Sequence, residues 1–176
     1  NTAVFTATPI LWTDVISRGR GYLFPAKGNN GLVNDVSLSH YFGAGGRLLD
    51  DEGQPKLDEQ PLQEVLSFYQ QLLEQGEIDS TLLEADSTAD LWPFYLEGGK
   101  GLSQVGLREY LETRDQLVAS EPSAPPLPNE DGSPVGIKHA WVLVLVSEDV
   151  GRQDAALKLI ESFLDTNSNA TWNDIN

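Results

Sequence analysis

One run of seven residues limits the fold class more than any other feature of this chain. Ala140-Trp141-Val142-Leu143-Val144-Leu145-Val146 is apolar on both alternating faces and rich in β-branched side chains. Its length is far short of the roughly 18 apolar residues of a membrane helix. β-branched side chains also lose rotamer freedom in a helix and pack well on a pleated surface. A strand buried on both faces is the expected product, and such strands lie in sheets covered by helices. With the helices that alternate with it, the run predicts an α/β or α+β architecture.

Helical signals alternate with it. From Leu57 to Gln75, the residues Leu62, Val65, Leu66, Tyr69, Leu72 and Leu73 recur at helical spacing and form one apolar stripe. Asp58 is placed to cap this helix, Pro61 falls in its first turn, and Gly76 ends it. Gly45 to Gly53 reads as a short strand running into a tight turn. Ser87-Thr88-Ala89-Asp90 has the form of a capping box opening a helix through Leu91, Phe94 and Tyr95, with Pro93 inside it. Leu102 to Val105 follows as a short strand. Asp149 to Leu164 is a second amphipathic helix, with Ala156, Leu159, Ile160, Phe163 and Leu164 expected on its buried side, and Asn167 to Asn176 is a further helical segment around Trp172. Pro122, Pro125, Pro126 and Pro128 exclude helix between Glu121 and Gly132 and predict an extended strap.

Charge narrows the partners. Of 176 residues, 27 are acidic and 11 basic, a net charge of −16, and no basic patch is present. Nucleic acid and anionic membrane surfaces select clustered Lys and Arg, so neither is expected as a partner. The absence of Cys removes disulfides, zinc thiolates and thiol nucleophiles. The chain starts at Asn1 and contains no Met, which is expected of a piece of a longer protein.

Motifs for cofactors fail on their spacing. Gly98-Gly99-Lys100-Gly101 lacks the Ser or Thr that follows Lys in a Walker loop, and Gly43-Ala44-Gly45-Gly46 lacks a preceding buried strand. Asp50-Asp51-Glu52-Gly53 lacks the alternating acids and distal Glu of a calcium loop. His40 and His139 stand far apart without a metal-ligand context, and His40 beside Tyr41-Phe42 reads as a packed or cleft-edge residue. No cofactor and no metal are expected. The carboxylates fall on polar helix faces, as at Glu59, Glu64, Glu74 and Glu161, or in turns, as expected of a solvated surface.

Several segments, in their order, resemble the family 1 extracellular solute-binding proteins, the carbohydrate-binding subunits of ABC importers. Pro9-Ile10-Leu11-Trp12-Thr13-Asp14-Val15 is similar to that family's Pro-x-Thr-Trp-Asp-Glu-Leu opening of the second lobe, with Thr13 after the Trp instead of before it. Gly45-Gly46-Arg47-Leu48-Leu49-Asp50, the helix from Leu62 to Gly76, and Trp92 to Leu102 resemble successive blocks of the same family. So do Pro125 to Gly136, Trp141 to Val146 and Arg152 to Leu164. The resemblance implies a type II periplasmic-binding-protein-like α/β fold, mostly the second lobe of a two-lobed hinge-bending protein. Residues 1–136 would be the second-lobe segment, and 137–176 the return crossover strand and helix toward the first lobe, with Lys138 and His139 near the hinge.

The family position of each segment assigns site residues. The loop ahead of the Gly-Gly block points to Asn30, Asn34, Asp35 and Tyr41. Some members place a stacking Trp after the Gly-Lys segment and its strand; Arg108 or Tyr110 stands there in this chain. Trp141 opens the return strand and is the remaining cleft candidate, whereas Trp12 and Trp92 are expected in packing. The implied function is capture of a sugar by a monomeric, extracytoplasmic, non-enzymatic binding protein that delivers to ABC permease subunits, lipid-anchored if a lipoprotein signal precedes Asn1. Two other classes compete: a glycoside hydrolase, which needs a convergent pair of acids, and an acidic interaction domain meeting a basic partner.

Overall fold

The computed structural model describes residues 1, 7–28, 33–78, 80–98, 100–117, 120–138 and 142–167. The chain divides into two compact units, Asn1–Ile137 and Lys138–Asn176. The first holds helices α1 (Trp12–Arg18), α2 (Asp35–Gly43), α3 (Glu59–Glu74), α4 (Thr88–Leu96) and α5 (Leu107–Thr113). It also holds strands β1 (Tyr22–Leu23) and β2 (Leu102–Ser103), paired in parallel with Tyr22 opposite Leu102 and Leu23 opposite Ser103. Parallel strands cannot be joined by a hairpin, so the chain crosses between them through α2, α3 and α4.

The apolar stripe of α3 explains why the core sits where it does. Val65, Phe68 and Leu72 are buried, with Leu62 and Tyr69 packed beside them. Leu66 and Leu73, which the period also placed in the stripe, are 56% and 59% exposed, so the buried face centres on Phe68. Trp12 of α1 stacks on Phe68 with centroids 4.5 Å apart and planes within 8°, and Phe24 stacks on Tyr69 at 5.0 Å. Offset and parallel aromatic contacts of this kind add to what area burial alone supplies. Gly76 follows the last turn of α3 at φ 72°, where its N–H donates to the Leu73 carbonyl, a left-handed ending that favours glycine.

The proline strap is extended and tied to α1. Leu127 pairs with Leu11 in a parallel bridge: its N–H donates to the Ile10 carbonyl at 2.9 Å, and its carbonyl accepts from Trp12 N–H at 2.8 Å. The Trp12 indole N–H donates to the Pro126 carbonyl at 3.0 Å. Proline has no N–H to leave unsatisfied, so such a strap can offer carbonyls to a neighbour at little cost.

Three sequence expectations need revision here. Gly45 to Gly53 contributes no strand but a single antiparallel bridge, Leu49 with Pro55, around the Asp50–Gly53 turn. Gly46 is instead a packing residue, because a Cβ there would lie 2.3 Å from the Tyr41 ring. In the second unit, α6 (Val150–Leu164) forms as the periodicity predicts and Asp149 caps it, accepting from Arg152 N–H at 2.8 Å. None of its residues is buried, and Leu159 and Phe163 are 57% and 56% exposed, contrary to the expected buried side. Residues 142–146, the described part of the best strand candidate, form no strand; Val142 and Val146 are 77% and 90% exposed. A strand needs a ladder partner for its N–H and C=O groups, and no described segment supplies one. Most of the proposed final helix, residues 168–176, lies outside the described residues.

Candidate ligand-binding site

A cavity of about 370 Å³ opens where the carboxyl ends of β1 and β2 meet α4, α5 and the strap. Parallel strands leave a crevice beyond their carboxyl ends, the usual ligand position in open α/β sheets. The volume lies within the roughly 300–1,000 Å³ range of small-molecule sites. β1 contributes Tyr22, the end of β2 contributes Ser103 and Gln104, α5 contributes Tyr110, and the strap contributes Ser120 and Glu121.

One wall is aromatic and held on two sides. Trp92 and Tyr95 stack at 5.0 Å with planes 12° apart. The Trp92 indole N–H donates to Thr113 Oγ1 at 2.9 Å, fixing α4 to α5, and the Tyr95 hydroxyl donates to Ser120 Oγ at 3.0 Å, fixing α4 to the strap. Both rings project from α4, whose first turn is organised by Asp90. Its carboxylate accepts from Asp86 N–H at 3.0 Å, from Ser87 N–H at 2.9 Å and from the Ser87 hydroxyl at 3.0 Å. These bonds hold its pKa below the ordinary value, the Ser87 backbone contributing most.

The polar floor continues into the core. The Tyr22 hydroxyl lies 2.7 Å from Gln104 Oε1 and 3.0 Å from His40 Nε2, and His40 Nδ1 lies 2.7 Å from the Tyr69 hydroxyl. Rings of Trp12, Phe24 and Phe68 surround the imidazole. Desolvation by this setting pushes the His40 pKa down to about 4, and burial pushes Tyr69 up to about 12 and Tyr22 well above 10. No buried side-chain nitrogen or oxygen among the described residues lacks a hydrogen bond.

The residues expected in the site from sequence are dispersed. Tyr110 lines the cavity. Arg108, two positions earlier on α5, is largely exposed and pairs with Glu112 at 2.8 Å. Asn34 caps α2, its Oδ1 accepting from Ser37 N–H at 2.8 Å, and Asp35 is the exposed first residue of that helix. Tyr41 is buried; its hydroxyl donates to the Arg47 carbonyl at 2.8 Å and accepts from Asp58 N–H at 2.7 Å. Asn30 and Trp141, like His139, lie outside the described residues. Gln104, Ser120, Trp92 and Tyr95 were not singled out for the site. The available signal for Gln104 was a long polar side chain inside the short strand candidate Leu102 to Val105.

Among the described residues, Glu121 is the one charged side chain lining the cavity, and no group of three His, Asp or Glu is placed to hold a metal. Stacked aromatic faces beside hydroxyls and an amide suit a ligand with both C–H faces and hydroxyl groups. No family model, curated protein or solved structure matches the chain.

Proposed function

We propose that this chain is the ligand-binding lobe of an extracytoplasmic solute-binding protein that captures a carbohydrate for an ABC importer. The observation that supports the reading is the cavity at the carboxyl ends of β1 and β2. There the Trp92–Tyr95 stack and Tyr110 offer apolar faces, and Gln104, Ser103 and Ser120 offer directional hydrogen bonds. Sugars need that pairing, because a pyranose presents C–H groups on its faces and hydroxyls around its rim. On this reading ligand binding favours closure of a second lobe over the cavity, and the permease subunits read that closure. A glycosidase needs two convergent carboxyl groups, about 5–10 Å apart, and among the described residues Glu121 alone supplies a carboxyl side chain in the lining.

A single lobe holds a sugar weakly, so the test must detect millimolar affinity. Titration of the ¹⁵N-labelled chain with glucose, galactose, maltose and cellobiose, followed through the Trp92 indole N–H, does so. At least one sugar is expected to shift that signal saturably while glycine and glutamine leave it in place. A response to the amino acids alone, or to none of these compounds, overturns the proposal.

A further inference from the structure

The polar groups under the cavity form a chain whose direction is set at one end. Ser39 Oγ lies 2.8 Å from the Val36 carbonyl, which can only accept, so the Ser39 hydroxyl proton is used there. Ser39 Oγ is then an acceptor for its other neighbour, Gln104 Nε2 at 3.4 Å, and the Gln104 amide must turn its NH₂ toward Ser39. That orientation puts Gln104 Oε1 against the Tyr22 hydroxyl at 2.7 Å, so Tyr22 donates to it. Having spent its proton, the Tyr22 oxygen must accept from His40 Nε2 at 3.0 Å. A neutral imidazole protonated on Nε2 has a bare Nδ1, which accepts from the Tyr69 hydroxyl at 2.7 Å, and Ser37 Oγ, 3.3 Å from the Tyr69 oxygen, must then turn its own proton toward it. Amide orientation and imidazole tautomer are thus one linked choice.

Resting on the sugar-binding reading of the same cavity, we infer that Gln104 is the polar anchor of the ligand and that Tyr22 and His40 are positioning residues that fix its amide. With one N–H directed to Ser39, and Oε1 facing both the Tyr22 hydroxyl and the His40 imidazole, the amide has its second N–H left to offer the cavity. Gln104 lines the cavity. A fixed amide donor matches a hydroxyl oxygen of a neutral sugar ring, which both gives and takes a hydrogen bond. Tyr22 and His40 are themselves buried and satisfied, and they act on the ligand only by holding this amide in one orientation.

The sugar titration described above, repeated on variants, separates this inference from the reading it rests on. Gln104→Leu is expected to raise the Kd of the responding sugar roughly five- to tenfold, the loss of about one hydrogen bond. Tyr22→Phe and His40→Phe are expected to raise it about threefold or more, because the amide is then free to turn over. His40→Gln, which restores a donor near the position of Nε2, is expected to return it to within about twofold of the parent. In the unmodified chain, long-range ¹H–¹⁵N correlation is expected to place the His40 proton on Nε2, a readout that needs no folded variant. A sugar that still binds Gln104→Leu or Tyr22→Phe with parental affinity overturns the inference and leaves the sugar-binding proposal standing. A His40 proton on Nδ1 does the same. If none of the four sugars binds, both fall together.

Discussion

The His40 imidazole is enclosed by aromatic rings and held in a neutral tautomer, with its pKa pushed down to about 4 by desolvation. An unfolded chain returns it to about 6.5. Between these values the unfolded state binds the proton and the folded state does not, so this residue's contribution to stability is complete above pH 6.5. It falls as the pH drops toward 4 and is constant below that. The loss comes to about 2 kcal/mol at pH 5 and about 3 kcal/mol below pH 4. Urea midpoints at pH 7.5 and pH 5 check this against His40→Gln, which carries the same carboxylates and His139 but lacks the buried imidazole. The parent is expected to lose about 2 kcal/mol more than the variant over that interval; equal losses would show that His40 does not titrate with unfolding. From sequence, His40 beside Tyr41-Phe42 reads as a packed or cleft-edge residue, and of the two it is packed. Its link to Tyr22 and Tyr69, 18 and 29 positions away, depends on tertiary placement that no local pattern encodes.

At the scale of elements, periodicity and caps were readable because their physics is local. The α3 stripe, its ending at Gly76 and the Ser87–Asp90 start of α4 each follow from residues within one or two turns. β1 was not legible, since two residues carry no period and Tyr22, Leu23 and Phe24 are buried by neighbours distant in sequence. Helix α5 shows how far family position can take a site assignment. It offered Arg108 and Tyr110 as alternatives, and two residues along a helix turn the side chain by roughly 200° at 3.6 residues per turn. Only Tyr110 lines the cavity, while Arg108 faces Glu112 at the surface. On the sugar-binding reading, Tyr110→Ala is expected to weaken the responding sugar about five- to tenfold by removing an aromatic contact worth about 1 kcal/mol. Arg108→Ala is expected to leave the Kd within about twofold, because an exposed i,i+4 ion pair contributes little even to folding. The Trp92 indole titration distinguishes them, and the opposite ranking would move the binding face of α5 away from the cavity.

For the molecule as a whole, the run from Ala140 to Val146 announced a buried strand in an α/β or α+β chain through its composition, but composition states only that a segment gains by burial and pairing. It does not supply the partner. Residues 142–146 form no strand, whereas the described parallel pair, β1 with β2, arises from segments with much weaker signals. On the reading proposed above, the sheet that receives the run belongs to the other lobe. The first unit is independent of that sheet in one respect that can be measured: among the described residues, every buried core side chain, from Trp12 to Tyr95, lies within Asn1–Ile137. A chain cut after Ile137 therefore keeps all of the buried apolar surface that α1, α3 and α4 share, and loses α6, which buries none of its residues. Its melting temperature is expected to stay within about 4 °C of the parent, since 1 kcal/mol shifts a domain of this size by roughly 2–4 °C. A cut after Ser120 removes the carbonyls of Pro126 and Leu127 that receive the Trp12 indole and backbone N–H groups. That leaves Trp12, stacked on Phe68 at the centre of the core, with two unpaired donors at about 1–3 kcal/mol each. The shorter chain is thus expected to melt about 10 °C or more below the longer one. Thermal unfolding followed by near-ultraviolet circular dichroism, which reports the stacked aromatic core, compares the two. Equal stability of both fragments would mean that the strap does not hold the core, and a collapse of the longer one would mean that α6 or the apolar run contributes to it.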